Sequence, residues 1–200
     1  MAKSATTPRT EGLFLGVDIG GTKLHAVVTD GEGTVLASAR KKTRPQLGFE
    51  GVMARVEAVL HKACEAASVA VQDVQAVGVG APSPMLEDGT AVNAPNLGWV
   101  DAPIGQTLEA SLKRPVVCAN DCNTGTFGEL VYGAGVGAKN LVGLFMGTGL
   151  GGGLVIDGKP VCGEGNLAAE VGHMVVVVDG TRCGCGRRGA RRRTSAGSWR

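Results

Sequence analysis

Glycine turns separate short apolar runs along most of this chain, and that pattern constrains its fold more than any other feature. Leu13–Ile19 is an apolar run of strand length that ends in Gly20 and Gly21, and strand-like patterns resume at 24–29 and 35–39. Such runs between turn residues predict an antiparallel meander whose first turn carries the paired glycines. The 33 glycines follow no repeat, so they predict many tight loops and not a low-complexity chain.

Helical and buried-strand patterns alternate over the remainder of the chain. Between residues 49 and 67, apolar side chains recur at spacings of one, three or four, which predicts an amphipathic helix. Prolines on both sides of Ser83 predict a loop there. The other predicted elements are strands at 74–79, 116–119, 141–146 and 153–156 and helices at about 103–112 and 124–132. The pattern is that of an α/β protein, with a domain boundary predicted near residue 135.

Composition and charge exclude several classes of protein. With 200 residues, 44% of them hydrophobic, the chain suits a globular protein, and no apolar run approaches the length that crosses a bilayer. Residues 181–200 hold seven arginines and no acid, but no DNA-binding motif accompanies them, so we expect no nucleic-acid partner. The polar N-terminus lacks a signal core, which predicts a cytoplasmic protein whose six cysteines stay reduced.

Two glycine-rich segments have the composition of phosphate-binding loops. They are Asp18-Ile19-Gly20-Gly21-Thr22-Lys23 and Gly147-Thr148-Gly149-Leu150-Gly151-Gly152. Glycines let backbone N–H groups approach phosphate oxygens, and Asp18 is placed to reach a hydrated magnesium ion. One such segment alone would suit an ordinary hairpin turn, whereas two favour a nucleotide cleft. A strand follows the second segment where a dinucleotide fingerprint requires a helix, and a Walker A sequence is absent.

Several motifs occur in the order seen in sugar kinases of the ROK family, which this chain resembles over about residues 13 to 189. The motifs are 16–23, Asn120-Asp121, 147–153, Glu170-Val171-Gly172-His173 and Cys183-Gly184-Cys185-Gly186. The resemblance implies the actin-like (ribonuclease-H-like) ATPase fold, with a complete N-terminal domain over 1–134 and a partial C-terminal nucleotide-binding domain over 135–200. It also implies ATP and Mg²⁺ bound between the domains, a hexose in the cleft and a homodimer if the protein is full length.

The resemblance also implies roles for single residues. Asp121 is the expected catalytic base, because phosphorylation of a sugar needs a carboxylate that accepts the proton of the attacking hydroxyl. The expected sugar contacts are Asp121 itself, Asn96, Asn120, Glu170 and His173, since hydroxyl recognition favours groups that donate and accept. Without the resemblance, the Asn120-Asp121 pair would suit a turn or a helix cap. Glu170 would then be a charged residue on a solvated helix face, and His173 would be a histidine of the core.

The reaction that the resemblance implies is transfer of the ATP γ-phosphate to a hexose. The segment Asn96-Leu97-Gly98-Trp99 is most similar to the family's glucokinases, which favours the 6-hydroxyl of glucose. N-acetylmannosamine, fructose and allose are the alternative substrates.

The spacing of His173, Cys183 and Cys185 resembles the structural zinc site of the family. The family closes that site with a further cysteine, and this chain has Ala190 at that position. Structural zinc normally takes four nitrogen or sulfur ligands, so three leave the site open or weakened. The alternative is that Cys183 and Cys185 are free thiols in a loop.

The chain departs from the family pattern at two further places. Ser83 stands where the family usually has a glycine near the sugar. After Gly189 a basic tail replaces the family's continuation, which we interpret as the result of a frameshift or a misplaced stop. With only part of the second domain, the strands between 141 and 178 would stay partly uncovered, so we expect poor solubility and weak or no kinase activity.

Two other functions stay open on the sequence. The ROK family also contains sugar-responsive transcription repressors, which carry an N-terminal helix-turn-helix. Only about a dozen residues precede the first predicted strand, too few for a three-helix DNA-binding unit. Since Asp121 is also retained, the enzyme is the favoured interpretation. The other alternative is a non-catalytic fragment that binds a sugar or a partner without turnover.

Overall fold

Residues 12–147, 149–183 and 185–190 are described by the computed structural model. They form two compact units that divide between Asp121 and Cys122. The first unit contains β1 (Leu13–Ile19), β2 (Lys23–Asp30), β3 (Val35–Lys42), α1 (Gly48–Ala67), β4 (Val74–Ala81), β5 (Thr90–Ala94), β6 (Trp99–Pro103), α2 (Ile104–Leu112) and β7 (Val116–Asn120). The remaining elements are α3 (Asp121–Tyr132), β8 (Leu141–Met146), β9 (Leu150–Ile156) and β10 (Lys159–Pro160).

The first unit is built on a five-stranded sheet in the order β3-β2-β1-β4-β7. β1 pairs antiparallel with β2, and β2 pairs antiparallel with β3, which confirms the predicted meander. β4 runs parallel to both β1 and β7. The carboxyl ends of β1, β4 and β7 therefore meet at one edge of the sheet, the place where α/β proteins gather functional side chains.

Helix α1 forms because its apolar residues recur on one face, and that face covers the sheet. Its buried residues are Val52, Met53, Val56, Val59, Leu60, Ala63 and Cys64. They join a core with Leu15, Val17 and Leu24 of the strands. Full burial of one such aliphatic side chain contributes roughly 1.5–3 kcal/mol. The helix ends at Ala67, and Ser68 after it takes a left-handed backbone conformation with φ of 56°.

A hairpin of β5 and β6 was not predicted from the sequence. Its strands are five residues each and Pro103 ends the second, so the alternating pattern that marks a strand is too short to recognise. Trp99 is buried at the start of β6, and its ring contacts the Phe49 ring edge-on at 5.2 Å between centroids. This contact holds the hairpin against α1 and directs its turn, residues 95–98, towards the sheet edge.

The second unit combines α3 with a small sheet in the order β10-β9-β8. The sequence predicted α3 from residue 124 and a domain boundary near 135, at its C-terminal end. The compact units instead divide at the N-terminal end of α3. The helix packs with β8 and β9, since a side chain at Gly143 or Gly153 would collide with Thr126.

The predicted basic tail from 191 onward lies outside the described residues. None of the helices in the described part of the chain is both long and apolar enough to span a membrane.

Candidate active site

Three parallel strands of the first unit deliver polar groups to one sheet edge, which we call the carboxyl edge. It comprises Asp18 and the glycine turn that follows β1, the loop at 82–84 that follows β4, and Asn120 at the end of β7 with Asp121 after it. Because β1, β4 and β7 are neighbours in the sheet, these groups lie close together. The sequence predicted each of these groups separately, and the strand order explains why they converge.

Two carboxylates, Asp18 and Asp121, lie on either side of Gly80. Gly80 pairs with Asp18 in the sheet, and a Cβ added to it would lie 3.6 Å from Cα of Asp121 and 4.0 Å from Oδ1 of Asp18. Partial exclusion of water raises the pKa of Asp18, and the negative charge of Asp121 raises it further. A cation beside Asp18 would relieve both effects, so the pair favours binding of a hard divalent cation.

The first glycine turn is held in place by Thr43, a fully buried residue that the sequence did not single out. The Thr43 hydroxyl donates a hydrogen bond of 2.6 Å to the carbonyl of Gly20, and its backbone N–H donates to the carbonyl of Thr22. The Gly20 N–H donates to the carbonyl of Lys23 at 3.0 Å. A Cβ at Gly20 would approach that same carbonyl to 2.9 Å, so only glycine fits there.

Asn96 is brought to the carboxyl edge by the turn between β5 and β6. A Cβ placed on Gly21 would lie 3.2 Å from Cβ of Asn96, so the two backbones are in close contact. The turn closes through a hydrogen bond from the Leu97 N–H to the carbonyl of Ala94, and Leu97 is buried beneath it. Asn96 remains exposed, as do Thr22 and Lys23 beside it, so its amide is available to a ligand that donates or accepts hydrogen bonds.

Ser83 fits its loop without strain. The φ angle of Ser83 is not positive, so the loop does not require glycine at this position. The buried Ser83 hydroxyl accepts a hydrogen bond from the Asn93 N–H at 3.0 Å and donates to the carbonyl of Pro84 at 2.8 Å. Its carbonyl accepts from Nδ2 of Asn120 at 3.5 Å. Ser83 therefore connects β5 to the asparagine that precedes the proposed base.

The second glycine loop, in the second unit, is shorter than predicted. Gly147 and Gly149 are joined by a 2.8 Å hydrogen bond from the Gly147 N–H to the Gly149 carbonyl, while Thr148 lies outside the described residues. Gly151 and Gly152 belong to β9, where they pair with Phe145 and Leu144. A side chain on Gly151 would collide with Sγ of Cys122, so this glycine is needed for packing and not for a loop.

His173, Cys183 and Cys185 form a cluster in the second unit, as their spacing predicted. One ligand atom from each lies within 4.8 Å of the others, and Nδ1 of His173 is 3.9 Å from Sγ of Cys183. Nε2 of His173 instead lies 3.6 Å from Oε2 of Glu170. Nδ1 of His173 thus lies beside a cysteine sulfur, whereas Nε2 lies beside the carboxylate of Glu170.

The donor set of this cluster suits zinc. An imidazole nitrogen and two thiolates are ligands that zinc prefers, and a carboxylate on the far ring nitrogen orients such a histidine. The Arg187 backbone N–H, together with His173 and Cys183, lowers the pKa of Cys185 to about 7. The ionised thiolate is the form of cysteine that binds a metal.

The predicted site residues fall into two groups. The carboxyl edge gathers Asp18, Gly20, Gly21, Thr22, Lys23, Asn96, Asn120 and Asp121. The second unit holds Gly147, Gly149, Gly151, Gly152, Glu170, His173, Cys183 and Cys185. Sequence reasoning missed Thr43, which has no motif of its own and follows a strand rich in basic residues.

Comparison with known proteins identifies relatives across nearly the whole chain. The model of the ROK family matches residues 14–197. A glucokinase of Streptomyces coelicolor is 39% identical over 181 residues, which are 89% of this chain and 54% of that protein. A putative xylose repressor of Caldicellulosiruptor is 30% identical over 89% of this chain and 45% of its own length.

Among solved structures, a ROK family glucokinase from Streptomyces griseus in complex with glucose and AMPPNP superposes with a TM-score of 0.81. It is 40% identical and covers 90% of this chain, which spans 55% of that structure. The chain therefore spans about half the length of the relatives it matches. The predicted fold is confirmed, since these sugar kinases have the actin-like ATPase fold. This chain is a member of the ROK family.

Proposed function

We propose that this chain serves the ATP-dependent phosphorylation of a hexose, with glucose as the first candidate and Asp121 as general base. The observation that carries the proposal is the convergence of Asp18, Asp121, Asn96 and Asn120 with a tight glycine turn at the carboxyl edge. Two carboxylates, hydroxyl-binding amides and a tight glycine turn are the parts that phosphoryl transfer to a sugar needs. The similarity to glucokinases supports the same reaction.

In this proposal each residue at the carboxyl edge has one task. Asp121 accepts the proton of the attacking hydroxyl, and Asn96 and Asn120 orient the sugar through its other hydroxyls. Asp18 would hold the hydrated Mg²⁺ that accompanies ATP, and that ion would neutralise charge on the phosphates. The turn formed by Gly20, Gly21, Thr22 and Lys23 binds phosphate oxygens, and the hydrogen bond from the Gly20 N–H to the Lys23 carbonyl keeps that turn tight.

The second unit would supply the remaining contacts. We assign phosphate binding to Gly147, Thr148 and Gly149 and support of that loop to Gly151 and Gly152. Glu170 and His173 are the proposed sugar contacts. The donor set of His173, Cys183 and Cys185 fits zinc, which would stabilise the loop that carries the cysteines. A cytoplasmic location and a homodimer of the full-length protein stay predictions.

A sugar-binding regulator is the second candidate, because a putative xylose repressor is among the relatives. Asp121 favours the enzyme, since a regulator that only binds sugar needs no base. The two functions differ in turnover, so a regulator would bind a hexose without releasing ADP in its presence.

Hexose-dependent ADP release tests the proposal. The purified chain is incubated with Mg-ATP and glucose, N-acetylmannosamine, fructose or allose, and glucose 6-phosphate is measured with its dehydrogenase. We expect slow turnover that depends on the sugar and is fastest with glucose. Sugar binding without any ADP release would favour the regulator, and ADP release that ignores the sugar would contradict the proposal.

A further inference from the structure

The peptide between Gly20 and Gly21 is the part of the first glycine turn that its own sequence restrains least. Neither residue has a side chain, so rotation of this peptide meets little steric resistance. The rotation would exchange the sides to which its carbonyl and its N–H point. A carbonyl oxygen directed at a bound phosphate would repel it, whereas an N–H would attract it. Phosphate binding at this turn therefore requires a contact from outside the turn that selects one orientation.

Thr43 makes two contacts with the turn, both of them to carbonyl groups. Its hydroxyl donates to the carbonyl of Gly20 at 2.6 Å, and its backbone N–H donates to the carbonyl of Thr22 at 3.0 Å. The peptides of the turn are trans, and in a planar trans peptide the N–H points opposite to the carbonyl. The N–H of Gly21 is therefore directed away from Thr43, and so is the N–H of Lys23.

The strand order shows where that direction leads. Thr43 directly follows β3, which is the outermost strand of the sheet on the side of β2. The strands β4 and β7 lie on the other side of β1. A group at the end of β1 that points away from Thr43 thus points across the carboxyl edge, where Asp18 and Asp121 lie.

Thr43 is itself fixed in position by the elements around it. Its side chain is fully buried. The carbonyl of Lys42 before it accepts a 2.8 Å hydrogen bond from Nε of Arg55 on α1. Arg44 after it takes a left-handed backbone conformation with φ of 60°, which is uncommon for a residue other than glycine. The end of β3 is therefore anchored to α1 and presents the Thr43 hydroxyl to the turn.

We propose that Thr43 is a positioning residue for phosphate binding. Its hydroxyl fixes the Gly20-Gly21 peptide with the carbonyl towards β3 and the Gly21 N–H towards the carboxyl edge, where it donates to a phosphate oxygen of the nucleotide. This inference rests on the proposed function, in which the first glycine turn binds phosphate.

Titration of the isotope-labelled whole chain with Mg-ATP, followed by NMR, tests the proposal. Mg-ATP should shift the amide resonance of Gly21. Thr43→Val keeps the shape of the side chain but removes its hydroxyl, and it should weaken Mg-ATP binding by about 3- to 10-fold, the contribution of one neutral hydrogen bond. Thr43→Ser retains the hydroxyl and should restore the affinity of the unsubstituted chain.

Thr107→Val is the matched control. The Thr107 hydroxyl donates to the carbonyl of Pro103 at 2.7 Å, on α2 of the same unit. Both valine variants lose one hydrogen bond from a hydroxyl to a carbonyl, so both should lower Tm. We expect only Thr43→Val to lower the affinity for Mg-ATP. An equal loss of affinity in Thr107→Val would mean that the effect comes from stability, which would overturn the positioning role.

The outcomes separate this inference from the proposed function. An unchanged Gly21 resonance on addition of Mg-ATP would overturn the inference, and so would equal affinities of Thr43→Val and the unsubstituted chain. Hexose-dependent ADP release, measured on the same samples, tests the reaction alone. A Gly21 shift that depends on the Thr43 hydroxyl, without any such release, would support the inference and contradict the proposed kinase.

Discussion

The two compact units differ in how completely they bury their apolar side chains. The first has a continuous core in which Leu24, Leu60 and Ile104 are fully buried. In the second, the buried apolar residues among those described are Val155, Cys183 and Ala190. On β8, Leu144 is 61% exposed and Met146 is 78% exposed.

The two units therefore support their candidate sites to different degrees. The first unit has a core able to fix the carboxyl edge, because burial of aliphatic side chains is the main favourable contribution to folding. The second unit carries the glycine loop and the metal cluster on a sheet that covers little of its own apolar surface. Sites built on such a weakly packed frame open locally at low cost.

The largest expected effect is on the free energy of unfolding, and it comes from a comparison of two leucine substitutions, one in each unit. Leu60→Ala removes a fully buried side chain from the first unit and should lower the free energy of unfolding by about 2–5 kcal/mol. Leu144→Ala removes a mostly exposed one from the second unit and should change it by less than about 0.5 kcal/mol. Urea unfolding followed by circular dichroism measures both. Equal losses would contradict the contrast between the two units.

A smaller effect is expected where α3 packs with β9. A Cβ on Gly153 would approach the Cys122 carbonyl to 2.7 Å and collide with Thr126, so Gly153→Ala should destabilise the second unit by about 1–3 kcal/mol. Gly128 on α3 has open space around it. Gly128→Ala should therefore stabilise the helix by roughly 0.5–1 kcal/mol. Hydrogen exchange of the β9 amides should become faster in the first variant only.

The smallest effect concerns two carboxylates of the first unit with opposite pKa shifts. The folded state raises the pKa of Asp18 above its ordinary 3.8, so it binds a proton more tightly than the unfolded chain does. Stability from this group is therefore present at low pH and lost as pH rises through the raised value, and Asp18→Asn should raise Tm at neutral pH.

Asp88 is the matched control, because its pKa is shifted in the opposite direction to that of Asp18. Hydrogen bonds from Thr90 lower its pKa, so its contribution is present above pH 3.8 and lost as pH falls. Asp88→Asn should slightly lower Tm at neutral pH. If both variants shift Tm in the same direction between pH 3 and 7, the assigned causes are wrong.

Local sequence patterns predicted most of the first unit and the main elements of the second. The apolar period of α1 and the short runs of β1, β4, β7 and β8 are strong local signals, and their predicted positions agree with the structure within a few residues. The hairpin of β5 and β6 was missed because its strands are short and their burial depends on contacts with α1, which are remote in sequence.

The candidate site was predictable where a motif coincided with a strand end. Asp18 was identified beside the first glycine turn and Asp121 through the resemblance to the ROK family, but their convergence depends on a strand order that no local pattern contains. Thr43 was missed because its hydrogen bond to Gly20 joins positions 23 residues apart. The extent of the second glycine loop was misjudged, since Gly151 and Gly152 are glycines for packing inside a strand.

The role of Asp121 is the central claim, and a single-turnover assay tests it most directly. Protein in excess over labelled ATP, with glucose present, registers even a slow reaction. Asp121→Asn should reduce the rate about 10²- to 10⁴-fold, the usual contribution of a general base, while glucose binding is retained. Asp101→Asn is the matched control, because Asp101 is exposed on β6 with φ of 46°, which asparagine tolerates. Equal rates in all three proteins would contradict Asp121 as the base.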